Sequence, residues 1–409
     1  MDLEHAGDSE ALVNSGHPLQ NTAFRRWLTG SSVSLLGDQF YLVALPWLVL
    51  DKLGSVAALG SLMMAGAIPR AALLLAGGVI ADRLSARWIM LTTAVIRALC
   101  VALSGLLASQ GDLHLAQLYL LVVVFGVADA FAMPAQSAYL PSLLRGDQLV
   151  AGTGLSQSAA QLTSIFGPVV AGSVIAKLGV TATFYIDAVS FLFVIAALLR
   201  LPDPQRAASH AHPLEAMKQG FAYVLADVPL RTMMLMAMVV NLCVTGPLSV
   251  GIASLVKSQL GSASAYGILL SAVAAGGLVG ALLAGLWKIH RRGVVILGGS
   301  SALGVCLLSI GLQPSGIYWL ACVLALIGCV AGFVNVHIGA WVMQRIDPAL
   351  RGRVSSVLIL ASLGVAPLSM GLAGLALLLN VSVLFLLAGG VLLCICAAAA
   401  KGPAIRQIS

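Results

Sequence analysis

The segment Gly78-Val79-Ile80-Ala81-Asp82-Arg83-Leu84-Ser85-Ala86-Arg87 sets three charges and a glycine between two apolar runs, each of about twenty residues, enough to cross a bilayer as a helix. A connection this short forces the flanking segments to run antiparallel. Its charges belong in water or among lipid headgroups rather than in hydrocarbon. The segment reads as a turn between two membrane-spanning helices, and the rest of the chain repeats that plan.

Composition agrees. Of the 409 residues, 60% are hydrophobic and 9% charged, and the mean hydropathy is +1.01; a soluble globular chain of this length needs more polar surface. The formal net charge of +7 does not point to nucleic acid as a partner. The basic residues cluster in short connections between apolar runs, where they act as topology signals. All seven cysteines (Cys100, Cys243, Cys306, Cys322, Cys329, Cys394 and Cys396) fall inside apolar runs without the spacing of a zinc site. They read as small packing residues, and no metal site is expected.

Outward from the opening turn, apolar runs occupy about 27–50, 56–81, 88–109, 114–139, 148–176 and 179–200, then about 232–256, 264–287, 294–312, 316–341, 354–378 and 381–400. The polar connection 201–230 holds Pro202, Pro204, Pro213 and Pro229 around an expected surface helix from Leu214 to Ala226. Residues 1–22 carry Asp2, Glu4, Asp8 and Glu10 but no Lys or Arg, unlike a secretory leader, and read as a disordered cytoplasmic tail. The expected fold is an all-α membrane protein with twelve transmembrane helices. It comprises a tail (1–22), a six-helix bundle (23–200), a cytoplasmic linker (201–230), a second six-helix bundle (231–400) and a tail (401–409).

With the amino terminus in the cytoplasm, outer loops hold only Lys52, Lys177 and Lys257; Arg70 and Arg97 lie within runs, and the other Lys and Arg residues fall in inner segments. This positive-inside bias makes both termini cytoplasmic and supports twelve spans, because shifting the count by one helix would scramble it. The preference for Arg over Lys and the tight loops point to a bacterial inner (plasma) membrane.

The two halves read as copies. The fifth run contains Gly167-Pro168-Val169-Val170-Ala171-Gly172 and the eleventh contains Ala366-Pro367-Leu368-Ser369-Met370-Gly371, and an Arg-x-Asp precedes each at nearly the same offset, Arg145/Asp147 and Arg345/Asp347. Such spacing argues for parallel repeats about an axis along the membrane normal, with a central cavity between them.

On these residues the chain resembles the major facilitator superfamily over nearly its whole length from about residue 22. The family's loop between its second and third helices, G-x-x-x-D-R-x-G-R-R, falls on Gly78, Asp82, Arg83 and Arg87, with Ser85 and Ala86 departing from it. The antiporter branch's G-x-x-x-G-P-x-x-G-G falls on Gly167, Pro168 and Gly172, with Thr163 and Ala171 departing. Gly37-Asp38-Gln39 through Leu45-Pro46-Trp47, Pro134-Ala135 through Leu140-Pro141, and Tyr185-Ile186-Asp187 are most similar to the exporter branch that includes enterobactin and macrolide efflux proteins. Small Gly78 would let the second helix approach the eleventh closely. The resemblance implies that Asp82 then meets the positive N-terminal end of the eleventh helix near Arg351 and Arg353, a latch for the outward-facing state. The same charges also suit a loop that only fixes topology.

Intramembrane charges are costly unless paired or hydrated, so they carry the functional reading. Asp38, Arg97 and Asp129 lie near the middle of the first, third and fourth runs, Arg70 lies mid-depth in the second, Asp187 lies nearer the outer end of the sixth, and His337 falls in the tenth. In the resembled fold, helices one, four, seven and ten line the cavity, which favours Asp38, Asp129 and His337 there. A partly desolvated carboxylate can take up and release a proton in the working pH range. Asp38, then Asp129, then His337 are therefore the expected proton-coupling residues. The competing reading is a structural ion pair of Arg97 with either acid. Arg70 and Asp187 are read as ion-pair residues, and Gln136 and Asn241 as facing substrate.

Nothing indicates an enzyme: the phosphate loop, G-x-S-x-G, H-E-x-x-H and dinucleotide fingerprints do not occur, and no cofactor is expected. The expected protein is a monomeric secondary transporter in the lipid bilayer that expels a small amphipathic or hydrophobic molecule in exchange for protons. A lipid or lysolipid mover and a siderophore or metabolite exporter of the same fold are the alternatives.

Overall fold

The computed structural model describes residues 17–110, 114–203, 213–287, 289, 292–312, 316–347 and 350–402, apart from the side chains of residues 75, 79, 81–83, 213, 214 and 216. Twelve helices among the described residues are long and apolar enough to cross a membrane. They are α1 (Thr22–Lys52), α2 (Val56–Arg83), α3 (Ala86–Gln110), α4 (Leu115–Ser142), α5 (Leu149–Leu178), α6 (Val180–Leu199), α7 (Val228–Gln259), α8 (Ala263–Leu286), α9 (Arg292–Leu312), α10 (Ile317–Arg345), α11 (Arg351–Leu377) and α12 (Val381–Lys401). A linker helix, Pro213–Ala226, lies between α6 and α7. No strand occurs among the described residues. In lipid only helices or closed barrels can satisfy every backbone group, and continuous apolar runs of this length select helices.

The packing repeats between halves. In the first, α2 packs on α4 and α3 on α6; in the second, α8 packs on α10 and α9 on α12. Between halves, α2 packs on α11 and α5 on α8, contacts that exchange under the same six-helix offset. The turns repeat too: Leu53-Gly54-Ser55 before α2 and Leu260-Gly261-Ser262 before α8. Gly54 and Gly261 have φ of +61° and +60°, a left-handed conformation that favours glycine. Each following serine caps its helix, through Ala58 N–H and Ala265 N–H respectively.

The described amino- and carboxy-terminal residues lie at one end of the bundle, here the terminal end. At that end Asn21 caps α1, accepting from Ala23 N–H and Phe24 N–H, and its side-chain amide donates to Leu143 O at 2.7 Å. The opposite, far end is where the halves meet. A Cβ built on Gly374 of α11 would come 2.8 Å from the Gly60 Cα of α2, and one on Gly172 of α5 would come 2.5 Å from Ala263 O at the start of α8. Small residues let these backbones approach closely. Lys257 of α7 pairs with Asp51 of α1 and sits 4.6 Å from the Trp47 ring.

The repeats are not equally regular. α5 runs unbroken through Pro168, whereas α11 is broken at Val365, just before Pro367. Opposite that break, α7 loosens into a π turn over Pro247–Gly251. Ser369 explains the pairing. Its hydroxyl accepts from Gly246 N–H at 2.7 Å and donates to Leu242 O at 2.6 Å. It thus sits inside the i→i−4 ladder of α7, an established cause of helix bending.

Candidate functional site

A cavity of about 500 Å³ lies within the first half, between α1, α2, α3 and α4, with Met370 of α11 reaching its wall. Four charged residues line it. Arg97 Nη2 lies 2.5 Å from Asp38 Oδ1, Arg97 Nη1 lies 3.8 Å from Asp129 Oδ1, and Arg70 Nε lies 3.1 Å from Asp129 Oδ2. The result is a chain of alternating sign, Asp38–Arg97–Asp129–Arg70, in which two guanidinium groups balance two carboxylates. Such a chain offsets much of the cost of burying each ion singly. Arg97 is positioned on both faces: its Cζ is 4.7 Å from the Phe125 ring centre and 4.8 Å from that of Phe191. Tyr41 stacks on Phe125 at 4.5 Å. The Arg97 side chain is 12% exposed and that of Arg70 is 46% exposed, so Arg97 is the fixed cation and Arg70 the accessible one.

The second half differs. Its cavity, about 250 Å³, is lined by α7, α9, α10 and α11 with Asn241, Ser300, Asn335 and Ser362, and no charged side chain is among its lining residues. Asn241 Nδ2 donates to Ala237 O at 2.9 Å, leaving its amide oxygen available. Gln136 faces the large cavity, the smaller space beside Asp38 and a third, nearer the terminal end.

Other predicted site residues sit differently. His337 does not belong with the acids. Its ring is 4.6 Å from Phe333, and its Nδ1 bonds Phe333 O at 2.9 Å in a buried position. Ala331, Val334, Asn335 and Ile338 line the second cavity, and a helical period turns residue 337 about 120° from their shared face. Asp187 makes no ion pair within 4 Å among the described residues and instead contacts Ser190 at 3.2 Å. In this arrangement a Cβ on Gly78 would meet nothing within 4 Å, and the close α2–α11 contact is at Gly60, near the other end of α2. Arg87 donates to Leu198 O at 2.7 Å and Leu199 O at 3.0 Å, closing the C-terminus of α6 with a cation. The side chains of Asp82 and Arg83 lie outside the described residues. A Cβ on Gly167 would meet the Gln39 side chain at 2.6 Å, and Pro168 and Gly172 face α8, so this motif joins α5 both to α1 and to the other half.

The aromatic cage of Arg97 is not among the features expected from the sequence, although the sequence carries a signal for it. Phe125 precedes Asp129 by four residues and Phe191 follows Asp187 by four, spacing that puts each ring on the face of its helix that carries the acid.

The sequence model of the Major Facilitator Superfamily matches residues 27–369. The chain belongs to that superfamily. This major facilitator is 29% identical over 354 residues to the multidrug efflux pump Tap of Mycolicibacterium fortuitum, covering 83% of this chain and 85% of the relative. It is 25% identical over 390 residues to macrolide efflux protein A of Streptococcus pyogenes, covering 93% and 95%. Against the enterobactin exporter EntS of Escherichia coli it is 25% identical over 289 residues, covering 69% and 68%. Among solved structures its fold matches the nucleoside transporter NupG with a TM-score of 0.77 at 15% identity, covering 93% of this chain and all of that one. As a major facilitator with twelve apolar helices, the chain is an integral multi-pass membrane protein and a transporter of small molecules rather than an enzyme.

Proposed function

We propose that the protein is a proton-coupled exporter that expels small amphipathic or hydrophobic compounds by alternating access. The observation that carries this is the charge chain on the wall of an otherwise largely apolar cavity. Apolar walls bind the body of a ligand, while Asp38 and Asp129 offer carboxylates whose ion pairs a proton or a polar ligand group can rearrange. The names of the efflux relatives support the direction and the substrate class. We place both termini in the cytoplasm of a bacterial inner membrane, from the distribution of Lys and Arg. The far end is then external, and its closure by Gly60–Gly374, Gly172–Ala263 and Asp51–Lys257 makes this an inward-facing arrangement. The two six-helix bundles, 23–200 and 231–400, are the units we take to rock against each other, with the monomer as the working form.

The test is transport by the purified protein in proteoliposomes, with ethidium, erythromycin, a catecholate siderophore and a fluorescent lysolipid offered in parallel under an imposed pH gradient. Gradient-driven movement of ethidium or erythromycin supports the proposal. Movement of the siderophore alone replaces it with siderophore export. Movement of lysolipid alone replaces it with lipid translocation.

A further inference from the structure

Asp187 of α6 is the one acid of this region outside the charge chain. It is 0% exposed, and its Oδ2 is buried without a hydrogen-bond partner among the described residues. Arg97 Nε, on the adjacent α3, is likewise buried and unpartnered. Asp187 also lies against α1 beside Asp38: a Cβ on Gly37 would run into both Asp187 Oδ1 and the Ser190 hydroxyl. The groups facing Asp187 are Asp38 and Tyr41 from α1, Arg97 from α3 and Ser190 on its own helix, with Asp129 of α4 beyond Arg97. α5, which also packs on α6, carries as its only titratable residue Lys177, at the far-end turn.

Charge balance and hydrogen-bond counting agree on what Asp187 does. The four-member chain is neutral by itself, so an ionised Asp187 would be a surplus buried anion, a costly arrangement when no partner compensates it. The Ser190 hydroxyl has one proton to give, and its shorter contact, 2.7 Å, is to the Asp187 backbone carbonyl. Its contact to Oδ1 is the longer, 3.2 Å, so Ser190 gives the carboxyl group little compensation for burial, and Oδ2 receives none among the described residues.

We infer that Asp187 is a protonated reserve carboxyl, which shares one proton and the Arg97 guanidinium with Asp38. In the state seen here Asp38 is ionised and paired with Arg97, and Asp187 holds the proton. In the alternative, the proton has left Asp187 and resides on Asp38, which faces the cavity, while Arg97 pairs with ionised Asp187 through the groups now unpartnered. Total charge is unchanged by the exchange, so it needs no counter-ion. The inference deepens the proton-coupled reading and rests on it for its role in transport.

The direct test is infrared difference spectroscopy of the full-length protein in lipid, without substrate, for the wild type, Asp187→Asn, Asp38→Asn and Ser190→Ala. The expected result is a protonated-carboxyl stretching band in the wild type at neutral and mildly alkaline pH. That band should be lost in Asp187→Asn, retained in Asp38→Asn and shifted in frequency in Ser190→Ala. A wild type without the band, or an Asp187→Asn variant that keeps it, overturns the inference whatever transport shows. In proteoliposomes, Asp187→Asn should let ethidium equilibrate down its gradient but lose ethidium-driven proton flux. Wild-type flux in that variant overturns the inference and leaves proton coupling intact; no flux in the wild type overturns the coupling reading itself.

Discussion

Asp51 of α1 and Lys257 of α7 form an ion pair that joins the two halves at the far end, with the ammonium also set over the Trp47 ring. Asp51 and Lys257 are 43% and 29% exposed at their side chains, so the pair is worth about 0–1 kcal/mol, with roughly 0.5–1 kcal/mol more from the aromatic face. That is enough to shift the balance between states without governing folding. Asp51→Asn should raise the population open at the far end severalfold, read as longer distances between spin labels at Lys52 and Leu379, both exposed. Exchanging the charges, Asp51→Lys with Lys257→Asp, should restore the shorter distance.

The Gly60–Gly374 contact makes a stronger prediction, because backbone meets backbone there and no side chain can yield. Gly374→Val should keep the far end from closing and reduce transport more than tenfold. Gly78→Val, at a position with open space in this state, should leave the far-end distance unchanged. Comparing spin-label distances in the two variants separates a local steric block from general damage to α2 packing.

Ser369 holds α7 open by standing between Gly246 N–H and Leu242 O. Ser369→Ala leaves two buried backbone groups without their partner, a cost of about 1–3 kcal/mol. Faster hydrogen exchange in peptides covering residue 246 and a lower melting temperature are expected. Unchanged exchange there would show that the π turn is held by Pro247 alone.

Why the fold was legible while parts of the site were not follows from what lipid demands. A spanning helix must be apolar over about twenty residues, so the run boundaries match α1–α12 closely, and the positions of Asp38, Arg97 and Asp129 along their runs foretold that they could meet. Helix rotation is a different matter. A helix apolar on every side has no periodic face to read, so nothing in α10 announced that Asn335 faces the cavity while His337 packs on Phe333. The Pro-x-x-x-Gly repeat shows the same limit. Pro168 and Pro367 stand in matching contexts, yet only the second marks a break, and the partner across that break is a serine hydroxyl engaging a helix more than a hundred residues away.

Arg97 is held as a planar cation between two rings while reaching two carboxylates. Lysine keeps the charge but loses the fork and the stacking plane. Arg97→Lys should therefore reduce transport at least tenfold with expression retained, and Arg70→Lys, at the more exposed end of the chain, should cost less. Parallel efflux assays of the two variants at matched protein levels check the order.

The most direct test of the whole account is proton flux from proteoliposomes carrying an internal pH dye, on addition of ethidium or erythromycin, in the wild type and in Asp38→Asn. The account predicts substrate-induced proton movement in the wild type and its loss in the variant, with substrate binding retained. Equal proton movement in both would contradict the assignment of coupling to the Asp38–Arg97 pair.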